Sequence, residues 1–131
     1  MKVLALDFGS ARTGVAVSDP TGTIARPLCV VERAATDDGL TELERLVADE
    51  GAERVIVGHP LTLRGERGGQ ARVTERFAAA LRERLEVPVL LFDERFTTDL
   101  AQQFPSAAAE DARAAAHLLS SYLAWSSAGP A

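Results

Sequence analysis

The stretch Val3-Leu4-Ala5-Leu6-Asp7-Phe8-Gly9-Ser10-Ala11-Arg12-Thr13-Gly14-Val15-Ala16-Val17-Ser18 decides how the rest of the chain is read. Val3–Leu6 and Val15–Ser18 are apolar or β-branched runs, bounded by glycine and too short for helices, so they read as two paired strands. Asp7 stands where the first run stops, and a buried strand has little reason to end in an unpaired carboxylate. Gly9 and Gly14 are expected to let the backbone turn sharply and to leave space beside that carboxylate. Asp7 then either offers an oxygen ligand to a hard metal ion or caps the turn through its own backbone. This stretch alone leaves both open.

The chain has 131 residues, with 47% hydrophobic and 25% charged. That is one domain of ordinary globular composition, large enough for a core without metal or disulfide staples. The single Cys29 cannot form an internal disulfide and lies in an apolar run, so it reads as a small core residue. No signal sequence or membrane span is visible, which points to a cytoplasmic protein with no membrane partner. The net charge of −5 argues against a general nucleic-acid sponge. All cationic residues except Lys2 are arginine, the side chain best shaped for a two-pronged grip on phosphate. A small nucleic-acid footprint stays compatible with the acidic balance.

Further along, Ile24 to Val31 reads as a third strand, and Pro27 suggests an edge position. Thr36-Asp37-Asp38-Gly39 offers cap residues for a helix from about Leu40 to Glu50, with Leu40, Leu43, Leu46 and Val47 on one stripe and Gly51 as the stop. Arg54 to Gly58 is a continuously apolar strand of the kind buried on both faces of a parallel sheet. After a Gly- and Arg-rich loop from His59 to Gly69, a helix is expected from Gln70 to Leu85. Its apolar positions are Val73, Phe77, Ala80, Leu81 and Leu85. Pro88 to Phe92 is a fifth strand, Thr97 to Gln103 a short helix, and Ala108 to Trp125 the last helix, followed by a polar tail over 126–131.

This order predicts an α/β fold. A three-strand meander and two β-α-β crossovers give a five-stranded mixed sheet with helices on both faces, in a single domain over 1–125. Ligand sites in such sheets lie beyond the carboxyl ends of the strands, where Asp7, Gly58 and the Asp93-Glu94 pair fall. Asp111 shares the stripe of Ala115, Leu118, Leu119 and Tyr122 that packs on the sheet. An acid one turn into a helix can also serve the helix dipole alone. Several carboxylates at one edge need cations to neutralise them, and divalent metal is the natural answer.

Four pieces resemble the YqgF/RuvX family, described as pre-16S rRNA nucleases and earlier as Holliday junction resolvases. They are L-A-L-D-F-G-S-A-R-T-G-V-A-V-S-D at the start, V-I-V-G-H-P-L in the middle, F-D-E-R-F-T-T-D-L-A after the fifth strand, and D-A-R-A-A-A-H-L-L in the last helix. The resemblance implies an RNase H-like fold and a carboxylate-metal site with Asp7, Asp93, Glu94 and Asp111 as catalytic and metal-binding acids. It implies substrate contacts from Arg12, Arg95, Thr97 and Thr98, with backbone capping the alternative role for the two threonines. Two Mg²⁺ or Mn²⁺ ions about 4 Å apart would serve phosphodiester hydrolysis, with Asp7 bridging from the central strand. The chain departs from the family at Ala11, where lysine is common. His59 replaces an apolar residue and reads either as a proton shuttle or as a surface histidine without a role. The segment from Gln103 to Glu110 is short and carries no Lys or Arg.

The function expected is a metal-dependent nuclease acting on the 5′ end of pre-16S rRNA, as a monomer or homodimer. Structured RNA is the expected partner. A resolvase acting on branched DNA is the alternative with the same site, and it needs a two-fold dimer for symmetric cutting. A nucleic-acid-binding module with weak catalysis is the alternative of another class.

Overall fold

The computed structural model describes residues 1–61, 64–94 and 107–128. Five strands, β1 (Val3–Asp7), β2 (Arg12–Ser18), β3 (Ala25–Glu32), β4 (Arg54–His59) and β5 (Val89–Asp93), form one sheet in the order β3-β2-β1-β4-β5. β1, β2 and β3 pair antiparallel, and β1, β4 and β5 pair parallel. The meander and the two crossovers expected from the sequence are therefore both present. Pro27 lies in β3, the edge strand, where its missing N–H removes no central ladder bond.

Among the described residues three helices cover the sheet: α1 (Asp37–Glu50), α2 (Gly69–Arg84) and α3 (Ala107–Ala128). Side chains alternate across the strands and so divide the core in two. Leu4, Leu6, Val15, Val55 and Val57 pack against α1 and α2 through Leu40, Leu43, Phe77 and Leu81. Val3, Ala5, Ala16, Ile56 and Phe92 face α3 through Ala115, Leu118, Leu119 and Tyr122. The uninterrupted apolar run of β4 follows from burial on both faces.

The Thr36 hydroxyl caps α1 by accepting from the Gly39 N–H at 3.2 Å. Gly51 ends the helix in the left-handed conformation at φ 66°. α2 departs from its expected stripe. Val73 is exposed, and Ala71 and Thr74 are buried in its place. The Thr74 hydroxyl makes that burial tolerable by donating to the Gln70 carbonyl at 2.9 Å. α3 continues three residues past Trp125, so the first part of the expected polar tail is helical. Cys29 is half-buried against the α1 side of the core, and burial raises its thiol pKa. The short helix expected from Thr97 to Gln103 lies outside the described residues. Among those described, no helix is long and apolar enough to cross a membrane.

Candidate active site

The antiparallel register sets Asp7 opposite Gly14 on β2. On its other side, the parallel register that pairs Leu6 with Val57 continues to Gly58 on β4. The alternation that turns Ala5, Ala16 and Ile56 toward α3 turns Gly14, Asp7 and Gly58 the same way. A row of Gly-Asp-Gly thus crosses the carboxyl end of the sheet.

Both glycines in that row serve close approach, not chain reversal. Neither Gly14 nor Gly9 has a positive φ. A Cβ on Gly14 would lie 1.8 Å from the Asp111 carbonyl oxygen, because the backbone of α3 passes directly over it. A Cβ on Gly58 would lie 2.3 Å from Glu94 Oε1. At Gly9 the obstacle is the Arg12 carbonyl oxygen, 2.4 Å away. The expectation of open space beside Asp7 is corrected here. The space beside the row is filled by α3 on one flank and by the Glu94 side chain on the other.

Glu94 is thereby brought onto Asp7, with which it shares a side-chain hydrogen bond. Burial, the Asp7 charge and bond, and the Asp93 charge together push the Glu94 carboxyl up to about 7. A protonated Glu94 donates to an ionised Asp7, which is how two carboxyl groups occupy one site. Asp93, the last residue of β5, pairs in register with His59. Of the Asp93-Glu94 pair, Glu94 shares a hydrogen bond with Asp7, and the Asp93 charge acts on Glu94.

Asp111 is held separately. Its Oδ2 lies 2.9 Å from Arg12 Nε, and the contact is an ion pair without good hydrogen-bond alignment, since that oxygen is buried with no hydrogen-bond partner. Arg12, for which the family resemblance implies a substrate contact, thus neutralises an acid across the β2–α3 contact. Among the described residues no three of Asp, Glu, His and Cys converge as ligands on one point, so the four acids expected to act together stand as an Asp7–Glu94 core with Asp111 turned to Arg12. Carboxylate oxygens with excess negative charge are the donor set that Mg²⁺ and Mn²⁺ prefer, so the residues fit such an ion. Arg95, Thr97 and Thr98 lie outside the described residues.

His59 is neither free nor on a loop. It ends β4, and its Nε2 lies 2.7 Å from Glu75 Oε2 on α2. Arg67 Nε holds the same oxygen at 2.8 Å. Arg67, then His59, lower the Glu75 pKa to about 2. No local pattern announces this pairing, because its members lie on a strand end, a loop and a helix. Phe8, next to Asp7, stacks on Phe77 of α2 with ring centroids 4.3 Å apart.

Comparison with known proteins shows the fold and the family. The fold is similar to that of T. thermophilus RuvC solved with a Holliday junction, with TM-score 0.65 and 16% identity over 100% of this chain and 98% of that one. A candidate pre-16S rRNA nuclease of Chloroflexus aurantiacus is 48% identical over 77% of this chain, and the match spans 66% of that protein's length. One from Geobacillus kaustophilus is 38% identical over 94% of this chain and 97% of its own. Residues 1–125 match the family model RuvX, described as Holliday junction resolvase, and the chain belongs to that family.

Proposed function

We propose that the protein is a metal-dependent phosphodiester hydrolase that processes the 5′ end of pre-16S rRNA in the cytoplasm. The observation that carries this reading is the Glu94–Asp7 hydrogen bond at the carboxyl end of the sheet, with Glu94 pushed up to about 7. Its relatives' names supply the RNA substrate. Asp7 and Glu94, joined by Asp93 and Asp111, would hold Mg²⁺ or Mn²⁺. Bound there, two such ions supply Lewis-acid stabilisation and an activated water.

The chain's own residues divide the remaining work. β1 fixes the Asp7 backbone opposite Gly14, which sets where the site lies on the sheet. Glu94 would lose its proton to serve as a ligand, and at a pKa of about 7 this would cost little at neutral pH. Arg12 restrains Asp111 and offers the remaining guanidinium donors to a phosphate. Arg95, Thr97 and Thr98 complete the substrate side in this reading.

The family description favours a second reading, a resolvase acting on branched DNA. One assay separates the two: cleavage of a pre-16S 5′-end RNA and of a four-way DNA junction, with Mg²⁺ or Mn²⁺, beside Asp7→Asn. Loss of RNA cleavage in the variant supports the first reading. Preferred junction cutting, by a homodimer, supports the second, and no cleavage of either removes the hydrolase.

A further inference from the structure

The loop before α2 and the first turns of that helix carry more positive charge than the fold and the acid cluster use. Residues 64–76 hold four arginines against two glutamates, in a chain whose net charge is −5. Glu75 is engaged by Arg67 and His59. Farther along the helix, Arg82 donates to the Val89 carbonyl and Arg84 pairs with Asp37 and Glu44, so those arginines hold the fold together. Arg64, Arg72 and Arg76 are different. All three are exposed, and their side chains make no ion pair or hydrogen bond among the described residues.

Arg72 and Arg76 lie four positions apart on the outward face, about 6 Å along the helix axis. Like charges at that spacing weaken a helix by a few tenths of a kcal/mol, so helix stability does not explain them. Their location does offer a reason. Gly58 lies under Glu94, the next residue His59 grips Glu75, and Glu75 directly precedes Arg76. Phe77, directly after Arg76, stacks on Phe8 next to Asp7. Phe8 and His59 face α2, on the side of the sheet opposite the one that Asp7 uses, and α2 starts just past the carboxyl end of β4, so the arginine face begins at the sheet end that carries the acids.

We propose that Arg64, Arg72 and Arg76 form a track for the phosphodiester backbone of the substrate, receiving the strand that leaves the Asp7–Glu94 site. The inference deepens the reading of this protein as one that acts on nucleic acid, and rests on it. Phosphate contacts of this kind fix register and orientation without reading sequence. The face would decide how much polynucleotide flanks the cut, and the acids would decide the chemistry.

The test is binding of a fluorescently labelled RNA hairpin with a single-stranded 5′ extension, in EDTA, over a range of salt concentrations. Two variants are compared with wild type, R72A/R76A and R72K/R76K. The salt slope should flatten by about 1.4 in R72A/R76A, two single-strand contacts being lost, and should be retained in R72K/R76K, where the charge is kept. The hairpin should also lose more affinity than a hexanucleotide of the same extension. An unchanged slope in R72A/R76A, or a flattened one in R72K/R76K, would overturn the track. Because no divalent ion is present, this outcome is independent of cleavage. A flattened slope in R72A/R76A supports the track even if the wild type cuts neither substrate, a result that would remove the hydrolase reading alone.

Discussion

The Glu94 side chain lies where a Cβ on Gly58 would stand, with Oε1 only 2.3 Å from that position. The obstacle is the far end of a flexible side chain, so Gly58→Ala should displace Glu94 without unfolding the sheet. The expected cost in stability is about 1 kcal/mol, as for mild overpacking. Displacement of a site carboxyl by about 1 Å can cost about a hundredfold in rate, so cleavage should fall far more than stability. Thermal denaturation beside a cleavage assay checks both, and a fully active Gly58→Ala enzyme would contradict the role given to this contact.

Gly14 behaves differently because its obstacle is backbone. A Cβ there would stand 1.8 Å from the Asp111 carbonyl oxygen and 2.4 Å from its carbon. α3 would have to lift from β2, spoiling the packing of Ala115 and Leu118 on the sheet. Gly14→Ala should therefore destabilise by about 3 kcal/mol or more. A melting temperature equal to wild type would show that α3 shifts at no cost.

Folding raises the Glu94 pKa from 4.5 to about 7. The folded state keeps a proton that the unfolded chain has lost, so stability on this account declines as pH rises from about 4.5 to about 7 and is level above that. Glu94→Gln removes the penalty. The variant should gain on wild type in metal-free denaturation as pH rises through that window, and the gain should vanish below about 4.5. A constant difference between the two proteins across pH would place the effect elsewhere.

His59 and Arg67 meet on Glu75, whose pKa of about 2 keeps it an anion at any working pH. Glu75→Gln weakens both contacts, and His59→Ala removes one. Amide hydrogen exchange in the first turns of α2 should therefore quicken in both variants, and more in Glu75→Gln. Equal protection in all three proteins would show that the pairing does not hold the helix.

Much of this architecture is legible in the amino-acid sequence. The short apolar runs on either side of the Asp7–Gly14 turn give the hairpin, the continuous run at Val55–Val57 gives a strand buried on both faces, and Thr36 and Gly51 bracket α1. Apolar counting fails in α2 because a threonine that bonds its own helix replaces a hydrophobic residue, leaving Val73 to solvent. The glycines mislead for a different reason. The same residue type serves a turn or a close approach, and the groups that approach Gly14 and Gly58 come from 97 and 36 residues later in the chain. Asp7 and Glu94 stand out as acids at strand ends. Their shared hydrogen bond, and the attachment of Asp111 to Arg12, depend on tertiary distances that spacing does not encode.

The central claim is that Asp7 and Glu94 form the divalent-ion core of a phosphodiester hydrolase. The most direct measurement is cleavage of the pre-16S 5′-end RNA by wild type and by Asp7→Asn, in Mn²⁺ or Mg²⁺ and again in EDTA. The account predicts metal-dependent cleavage by the wild type and none by a variant that melts as a folded protein. Cleavage that persists in Asp7→Asn, or in EDTA, would contradict it.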